Sequence, residues 1–501
     1  MTKPVVTKAY FERAQFIIEG TGELNEAPSI VYKGLEVKPS YFKSDELGFK
    51  IEYDMICGNN HYPLDSGVWV LDLSADFSPV SANYSIDNIC YKLKVKAEDK
   101  IYITSHYNKN TLKGVKRLIN FILSLGEKAI TLAIRCVYNI SYAFNKKGNI
   151  VLFTSESRNT PGGNMAYVIE KAHQLEIDKK YDFKYSLIDK KDCNEVKYAL
   201  FLIKTAYMLG KAKTVIIDDY HPLIYRVNFK KDVKVVQLWH ACGNFKAVGY
   251  ARCGKDGAPN ISKNAHKNYT HAIVSGEGVR RSYAEAFGID VNNVYACGVP
   301  RTDTLFSDTY KSDALKEIDA KYPQFKGKSK ILFAPTFRGN GKKSAYYPVD
   351  KIDLDKLEKL CRATNRAVFF KMHPFVKDKI EIKKEQEDIF VDATSYPDIN
   401  KMIACSEVLI TDYSSSIYEA ALLKTPMMFY VFDLDEYTSS RAFFKPFNEY
   451  LSGKVVYNFD ELTDAINDQD YETEKIEALI NSAVEKCDGN ATKRVVDLIF
   501  D

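Results

Sequence analysis

The chain has 501 residues, which at about 150 residues per domain is enough for two or three domains with real cores. At 46% hydrophobic and 27% charged residues, it is neither a mostly disordered chain nor an integral membrane bundle. Seventy basic residues against 66 acidic ones leave a net charge of +4, too even for a general nucleic-acid binder, so no nucleic-acid partner is expected.

Residues 1–108 read as a small β-sandwich-like domain. Phe49–Asp54, Gly67–Leu73 and Tyr91–Lys96 alternate in the strand manner, and turns such as Gly58-Asn59-Asn60 and Pro63-Leu64-Asp65 separate them. An interaction or positioning module is the plainer expectation for it. The many tyrosines leave a glycan-binding face open. Met1–Tyr10 lacks an apolar h-region, so no secretory signal is expected. No stretch approaches the ~20 apolar residues that span a bilayer. The ten cysteines are scattered with no CxxC, so zinc and thioredoxin-like chemistry lack support and reduced thiols in a cytoplasmic protein are expected.

Residues 109–148 change character. Leu112, Val115, Ile119, Ile122 and Leu123 recur at helical spacing, and the run Ala129–Ile134 follows. Lys109, Lys113, Lys116, Arg117, Lys128, Arg135, Lys146 and Lys147 face a single acid, Glu127. Basic amphipathic helices suit an anionic membrane surface. A pair of linker helices packed on a neighbouring domain is the alternative.

From residue 149 short apolar strands alternate with helical stretches: 150–154, 213–218, 233–238, 271–275, 331–334, 367–370 and 408–411. That pattern predicts parallel sheets. Its length suits two doubly wound α/β domains, 149–325 and 326–501, joined near the lysine-rich stretch Lys321–Lys330. Ligands of such sheets bind at the carboxyl ends of strands.

Five motifs sit at such ends. His240, in Trp239-His240-Ala241-Cys242-Gly243, can take a proton from a hydroxyl near neutral pH. Lys371 and His373, in Lys371-Met372-His373-Pro374, suit a phosphate. Asp412-Tyr413-Ser414-Ser415-Ser416 ends a strand and opens a helix that carries Glu419, so free N–H groups and the hydroxyls of Ser414, Ser415 and Ser416 offer an anion site. Thr336 and Arg338 follow the strand at 331–334, and Arg301 follows a possible strand at 294–296. Each motif alone also has a plain structural reading, as a packed histidine, an N-cap or a solvated loop. No Walker-type or dinucleotide glycine motif occurs in a strand-to-helix context. The set therefore suggests a diphosphate held by side chains and a helix start.

The order of these motifs resembles the CDP-glycerol glycerophosphotransferase family, the teichoic acid primases and polymerases. The similar segments are 237–249, 298–303, 331–338, 371–374, 410–430 and the closing helix 488–499. The resemblance implies a GT-B fold of two Rossmann-like domains, here preceded by a small all-β domain and basic linker helices. It implies transfer of glycerol phosphate or ribitol phosphate from a CDP-alditol donor to a lipid-linked polymer acceptor, with release of CMP. The enzyme would sit peripherally on the cytoplasmic face of the plasma membrane. In this reading His240 is the general base for the acceptor hydroxyl, and His373 stabilises the diphosphate or the departing CMP. Ser414, Ser415 and Ser416 contact phosphate, and Arg301, Thr336, Arg338, Lys371 and Asp412 complete the substrate contacts.

The chain departs from the family pattern at Ala241, where a glycine is usual, and at Glu419, where an aspartate is common and which would reach a ribose hydroxyl. Ser439–Leu451 lacks the expected acidic character. These departures bear on which alditol is used. Mg²⁺ stays open as a cofactor, with no carboxylate cluster of the kind a dedicated site uses. A homo-oligomeric state is also left open. The competing readings are a GT-B glycosyltransferase using a nucleotide sugar and a non-catalytic polymer-binding protein.

Overall fold

The computed structural model describes residues 3–55, 64–86, 91–98, 100–107, 115–144, 148–253, 265–339 and 341–501. Cys57, the turn at 58–60, Pro63, Cys90, Lys109, Leu112, Lys113, Lys146 and Lys147 lie outside the described residues, as do the side chains of residues 115–124.

The period-two pattern of the first hundred residues produces two sheets, one of five strands and one of six. In the strand Gly48–Asp54 every second side chain is buried, placing Phe49, Ile51 and Tyr53 inward. They meet Phe16, Trp69, Leu71, Val95 and Ile103 in one core, as a sandwich requires. Tyr250 and Cys253 join that same core. Arg13 donates to the buried Glu285 at 2.8 Å, and Arg281 stacks on Tyr41 while pairing with Glu52. The β domain is therefore fastened to the α/β segment behind it.

The chain divides into two compact units. The first comprises Met1–His240, Ala247–Ile273 and Arg280–Tyr295; the second comprises Ala241–Lys246, Val274–Val279 and Ala296–Asp501.

In the first unit a seven-stranded sheet runs in the order Ser157–Arg158, Asp182–Asp189, Ile150–Ser155, Thr214–Ile217, Lys234–Gln237, His271–Val274, Val294–Ala296. Ile150–Ser155 pairs in parallel with Asp182–Asp189 on one side and Thr214–Ile217 on the other. Strand order reverses there, so the switch point of this sheet lies at the carboxyl ends of Ile150–Ser155 and Thr214–Ile217. In the second unit six strands lie in the order Phe390–Asp392, Arg366–Phe370, Ser329–Phe333, Val408–Thr411, Met427–Tyr430, Lys454–Val456, every neighbouring pair parallel. That is the doubly wound 3-2-1-4-5-6 order, with its switch point between Ser329–Phe333 and Val408–Thr411.

The expected pair of linker helices is one helix, Val115–Ala143, of 29 residues. No proline interrupts it, and Gly126 alone costs only about 1 kcal/mol. Its C-terminal half packs on the helix Glu195–Lys211. Tyr138 is buried, the Ser141 hydroxyl donates to the Tyr207 carbonyl at 2.6 Å, and a Cβ at Gly210 would meet the Tyr138 carbonyl at 2.6 Å. Among the described residues no helix is long and apolar enough to cross a membrane. The eight described cysteines are free thiols.

Candidate functional site

The strand Lys234–Gln237 runs into Leu238, Trp239 and His240. Trp239 adopts φ 49°, a left-handed conformation that a bulky residue rarely takes and that costs of order 1–3 kcal/mol. Two buried amides hold it there. Gln237 Oε1 accepts the Trp239 N–H at 2.9 Å, and Asn164 Nδ2 donates to the Trp239 carbonyl at 2.7 Å. The bend turns the His240 side chain outward, 56% exposed, with its ring stacked on Trp239 at 4.5 Å. His240 Nδ1 lies 3.6 Å from Asp219 Oδ1. Asp219 is itself fixed by the Ser157 hydroxyl at 2.8 Å and the Tyr220 N–H at 2.7 Å. A carboxylate on the Nδ1 side favours a proton there and leaves Nε2 as the basic nitrogen.

The other sequence-predicted residues all fall in the second unit, most of them at the carboxyl ends of three neighbouring strands, while Arg301 follows Val294–Ala296 and Glu419 lies on the helix Ile417–Leu422. After Arg366–Phe370, Lys371 Nζ donates to the carbonyls of Thr394 and Tyr396 at 2.7 and 2.6 Å. His373 Nδ1 accepts the Phe375 N–H at 3.2 Å, so the ring of the neutral histidine carries its proton on Nε2. Burial, then the charges of Lys246 and Lys371, hold the His373 pKa below its ordinary value. After Val408–Thr411, Ser414 Oγ accepts the Ser416 N–H at 3.2 Å and lies 2.9 Å from Ser416 Oγ, while Ser415 is exposed. The helix that follows, Ile417–Leu422, has no side-chain cap. Simple N-capping is thus not the work of these hydroxyls.

Two expectations change on inspection of the partners. Arg338 is expected to grip an anion, but it is buried and four of its five N–H donors are already used. They go to Asp433 at 2.7 and 2.9 Å, to Asp412 at 2.7 Å and to the Thr336 carbonyl at 2.6 Å. Asp412 is equally occupied: Oδ1 accepts the N–H groups of Thr336 and Tyr413 at 2.7 and 2.6 Å, and Oδ2 accepts Arg338. Thr336, Arg338 and Asp412 therefore form a scaffold that joins two strand ends. Tyr413 caps it, donating to Asp433 at 3.1 Å and stacking on Tyr437 at 3.8 Å. Likewise Arg301 pairs with the buried Glu419 at 2.5 Å, so each partner's charge is met within the fold.

Lys246 escapes the sequence reading. It stands six residues after His240, over the Tyr437 ring at 5.9 Å, in a bridge with Phe443. Burial, with repulsion from Arg441 and Arg338 against the pull of Asp412, takes its pKa down to about 8. Lys246, Lys371 and Arg441 bring positive charge to this end of the second unit, beside the neutral His373. Beside it a cavity of about 390 Å³ is lined by Tyr346, Phe432, Tyr437, Asp433, Arg338 and Arg441 among others. Its size and aromatic walls suit a nucleoside. Asp219 also escapes, although it follows a predicted strand end as His240 does. Among the described residues no three His, Cys, Asp or Glu side chains gather as metal ligands do.

Residues 136–501 match the family described as CDP-Glycerol:Poly(glycerophosphate) glycerophosphotransferase. The chain belongs to that family. It is 43% identical over 371 residues to the teichoic acid ribitol-phosphate polymerase TarL of Staphylococcus aureus, covering 73% of this chain and 65% of TarL. It is 38% identical over 367 residues to a teichoic acid poly(ribitol-phosphate) polymerase of Bacillus spizizenii, covering 72% of this chain and 58% of that protein. The alignments thus span less than two thirds of the length of either relative. Among solved structures, the wall teichoic acid polymerase TagF matches with a TM-score of 0.57 at 20% identity, over 77% of this chain and 98% of TagF. TagF and this chain share one fold, two Rossmann-like domains of GT-B type.

Proposed function

We propose that the protein transfers ribitol phosphate from CDP-ribitol to a lipid-linked polymer acceptor, releasing CMP. The match of residues 136–501 to the family carries this reading. The choice of ribitol is supported by the names of the two relatives at 43% and 38% identity. In this reading residues 149–325 serve the acceptor and 326–501 the donor, behind a positioning module at 1–108 and a membrane-contacting linker at 109–148.

The reaction attacks phosphorus, and a good leaving group departs. Catalysis then needs an activated hydroxyl and stabilised charge on the transferring phosphoryl group. His240 Nε2 takes the proton of the acceptor hydroxyl, with Asp219 offsetting the imidazolium charge that results. His373 donates its Nε2–H to the diphosphate, and the departing CMP keeps that hydrogen bond. Lys246, Lys371 and the hydroxyls of Ser414, Ser415 and Ser416 meet the phosphate oxygens. Arg338, Asp412 and Thr336 hold those strand ends in place, and Arg301 with Glu419 does the same for the helix Ile417–Leu422. The cavity near Tyr437 takes the cytidine.

The membrane association that a lipid-linked acceptor requires is supported by exposed apolar side chains. Leu125, Leu132 and Ile140 lie on one face of Val115–Ala143, opposite the buried Ile134 and Tyr138. On Glu195–Lys211, Val196, Leu200, Ile203 and Tyr207 form an exposed stripe at helical spacing, flanked by Lys197, Lys204 and Lys211. An apolar stripe beside lysines is the pattern of a helix lying in a membrane interface on the cytoplasmic side.

The test is CMP release from CDP-ribitol and from CDP-glycerol, each with a lipid-linked teichoic acid primer. Acceptor-dependent release from CDP-ribitol is expected. Release from CDP-glycerol alone overturns the choice of alditol, and release from neither overturns the reaction. His240→Ala should lower the rate by roughly 10²–10⁴-fold while leaving CDP-alditol binding intact.

A further inference from the structure

His240 and Asp219 stand on different strand ends, and something must hold them side by side. Asp219 follows Thr214–Ile217, and His240 follows the parallel neighbour Lys234–Gln237. Both residues lie beyond the ladder, in bends that no strand pairing fixes.

Gln237 spans the gap. It is the last residue of its strand and is fully buried. Its amide is used on both sides: Oε1 accepts the Trp239 N–H at 2.9 Å, next to His240, and Nε2 donates to the Asp219 carbonyl at 3.0 Å. Nε2 also donates to the Tyr269 hydroxyl at 3.2 Å, and that hydroxyl lies 3.1 Å from His266 Nδ1. Burial takes the His266 pKa down to about 4, so its ring is neutral near pH 7 and this inner support carries no charge. The residue type follows from the partners. A backbone N–H only donates and a carbonyl only accepts, so the side chain between them must accept on one arm and donate on the other. A primary amide does both; an ionised carboxylate or a thioether of the same length does not.

Each bond bears on His240. Trp239 sits at φ 49°, and such a conformation persists only while its surroundings hold it. The His240 ring stacks on Trp239 and follows it. On the other side, the Asp219 carboxylate is oriented by Ser157 and the Tyr220 N–H, while Gln237 holds its backbone. Without the amide, a buried N–H and a carbonyl lose their partners and the two strand ends are free to shift independently. We propose that Gln237 is the positioning residue of the base: by tying Trp239 to Asp219 it keeps that carboxylate on the Nδ1 side of His240, so that the ring proton stays on Nδ1 and Nε2 faces the acceptor hydroxyl unprotonated. The proposal rests on the reading of His240 as general base and deepens it. Being fully buried, Gln237 acts through its neighbours and not on a substrate.

The experiment has two arms. In the first, nitrogen NMR of the full chain labelled at its histidines reads which ring nitrogen of neutral His240 carries the proton, the signals being assigned by their loss in His240→Ala. The proton should sit on Nδ1 in the wild type and should move toward Nε2 in Gln237→Met and in Asp219→Asn. A wild-type proton on Nε2, or His240 signals unchanged in Gln237→Met, overturns the proposal. This arm needs no donor, acceptor or turnover, so it separates a failed positioning role from a failed transferase reading. In the second arm, steady-state CMP release should show Gln237→Met lowering kcat roughly 10- to 100-fold, the cost of a misplaced catalytic group. The donor KM should stay within about twofold, and a rise in donor KM equal to the fall in kcat overturns the assignment. In an Asp219→Asn background the further loss from Gln237→Met should be at least about threefold smaller than in the wild type, because both changes break one arrangement; losses that simply multiply overturn the coupling. Should Gln237→Met fail to fold, Gln237→Glu keeps the acceptor for Trp239 and loses the donor to Asp219. It must still move the His240 proton toward Nε2.

Discussion

Lys246 carries its ammonium where burial and the neighbouring arginines have brought its pKa down to about 8. Below that pH it is charged and can offset donor phosphates; above it the charge is lost. His373 contributes no such step at alkaline pH, since burial and the two lysines keep it neutral above its lowered pKa. The donor KM should therefore stay flat to about pH 7.5 and rise roughly tenfold per unit above pH 8, and Lys246→Arg should remove the rise. A flat wild-type profile to pH 9.5 would exclude Lys246 from donor binding. Arg338 is a contrasting case. It satisfies the buried Asp412 and also Asp433, so Arg338→Met leaves carboxylates without a counter-charge and should cost about 3–5 kcal/mol in a denaturation experiment. Were Arg338 a direct ligand of the diphosphate, the variant would instead raise the donor KM at unchanged stability. The sequence could single out Arg338 by its place after a strand. It could not show that Asp433, 95 residues further on, takes two of its donors.

The segment from Leu238 to Lys246 must turn sharply. Trp239 turns left-handed between two amides, and Gly243, at φ +65°, passes so close to Tyr418 that a Cβ would lie 2.2 Å from its ring. The glycine missing at Ala241 is supplied here, two residues later. Gly243→Ala should destabilise the fold by about 2 kcal/mol or more, from left-handed strain and the ring clash together. Asn164→Ala removes the bond to the Trp239 carbonyl and the longer one to the Leu238 carbonyl. It should lower kcat more than it lowers the melting temperature, and equal effects would show that Asn164 serves the fold alone. Among the elements, strands buried on both faces were legible: Val408–Thr411 is four apolar-facing buried residues and lies where the sequence predicts it. Asp182–Asp189 was not. It lies near the sheet margin with three of its eight side chains exposed and only two buried, and its sequence DFKYSLID mixes charges into the strand. Phe390–Asp392 and Lys454–Val456 are three residues each, too short to show a period. The strand-end rule likewise singled out His240, His373 and the serines by residue type. It passed over Asp219, because two aspartates after a strand look like an ordinary turn until the sheet order places them at the switch point.

At the scale of the molecule, the proposed lipid-linked acceptor sets a demand that no single site meets: under that proposal the first unit has to be held at a membrane surface. Two packed helices supply a surface for this. Gly210 lets Val115–Ala143 approach Glu195–Lys211 closely, and that packing turns the buried faces of both helices inward. Leu200 and Ile203 are left 63% and 53% exposed beside Lys197, Lys204 and Lys211, on a helix whose opposite face is the core of the unit. In the proposed membrane setting such a stripe is favourable, since each large side chain placed in lipid gains about 1.5–3 kcal/mol and each adjacent lysine about 1 kcal/mol on an anionic leaflet. Leu200→Ser with Ile203→Ser should therefore reduce sedimentation with anionic liposomes by at least tenfold, and Lys197→Gln with Lys204→Gln should do so only on anionic lipid. Neither pair should change the rate on a short acceptor presented in detergent, because neither touches His240 or the phosphate-facing strand ends. Unchanged sedimentation in both pairs would return these helices to a purely structural role, with membrane contact then resting on the basic segment that begins at Lys109.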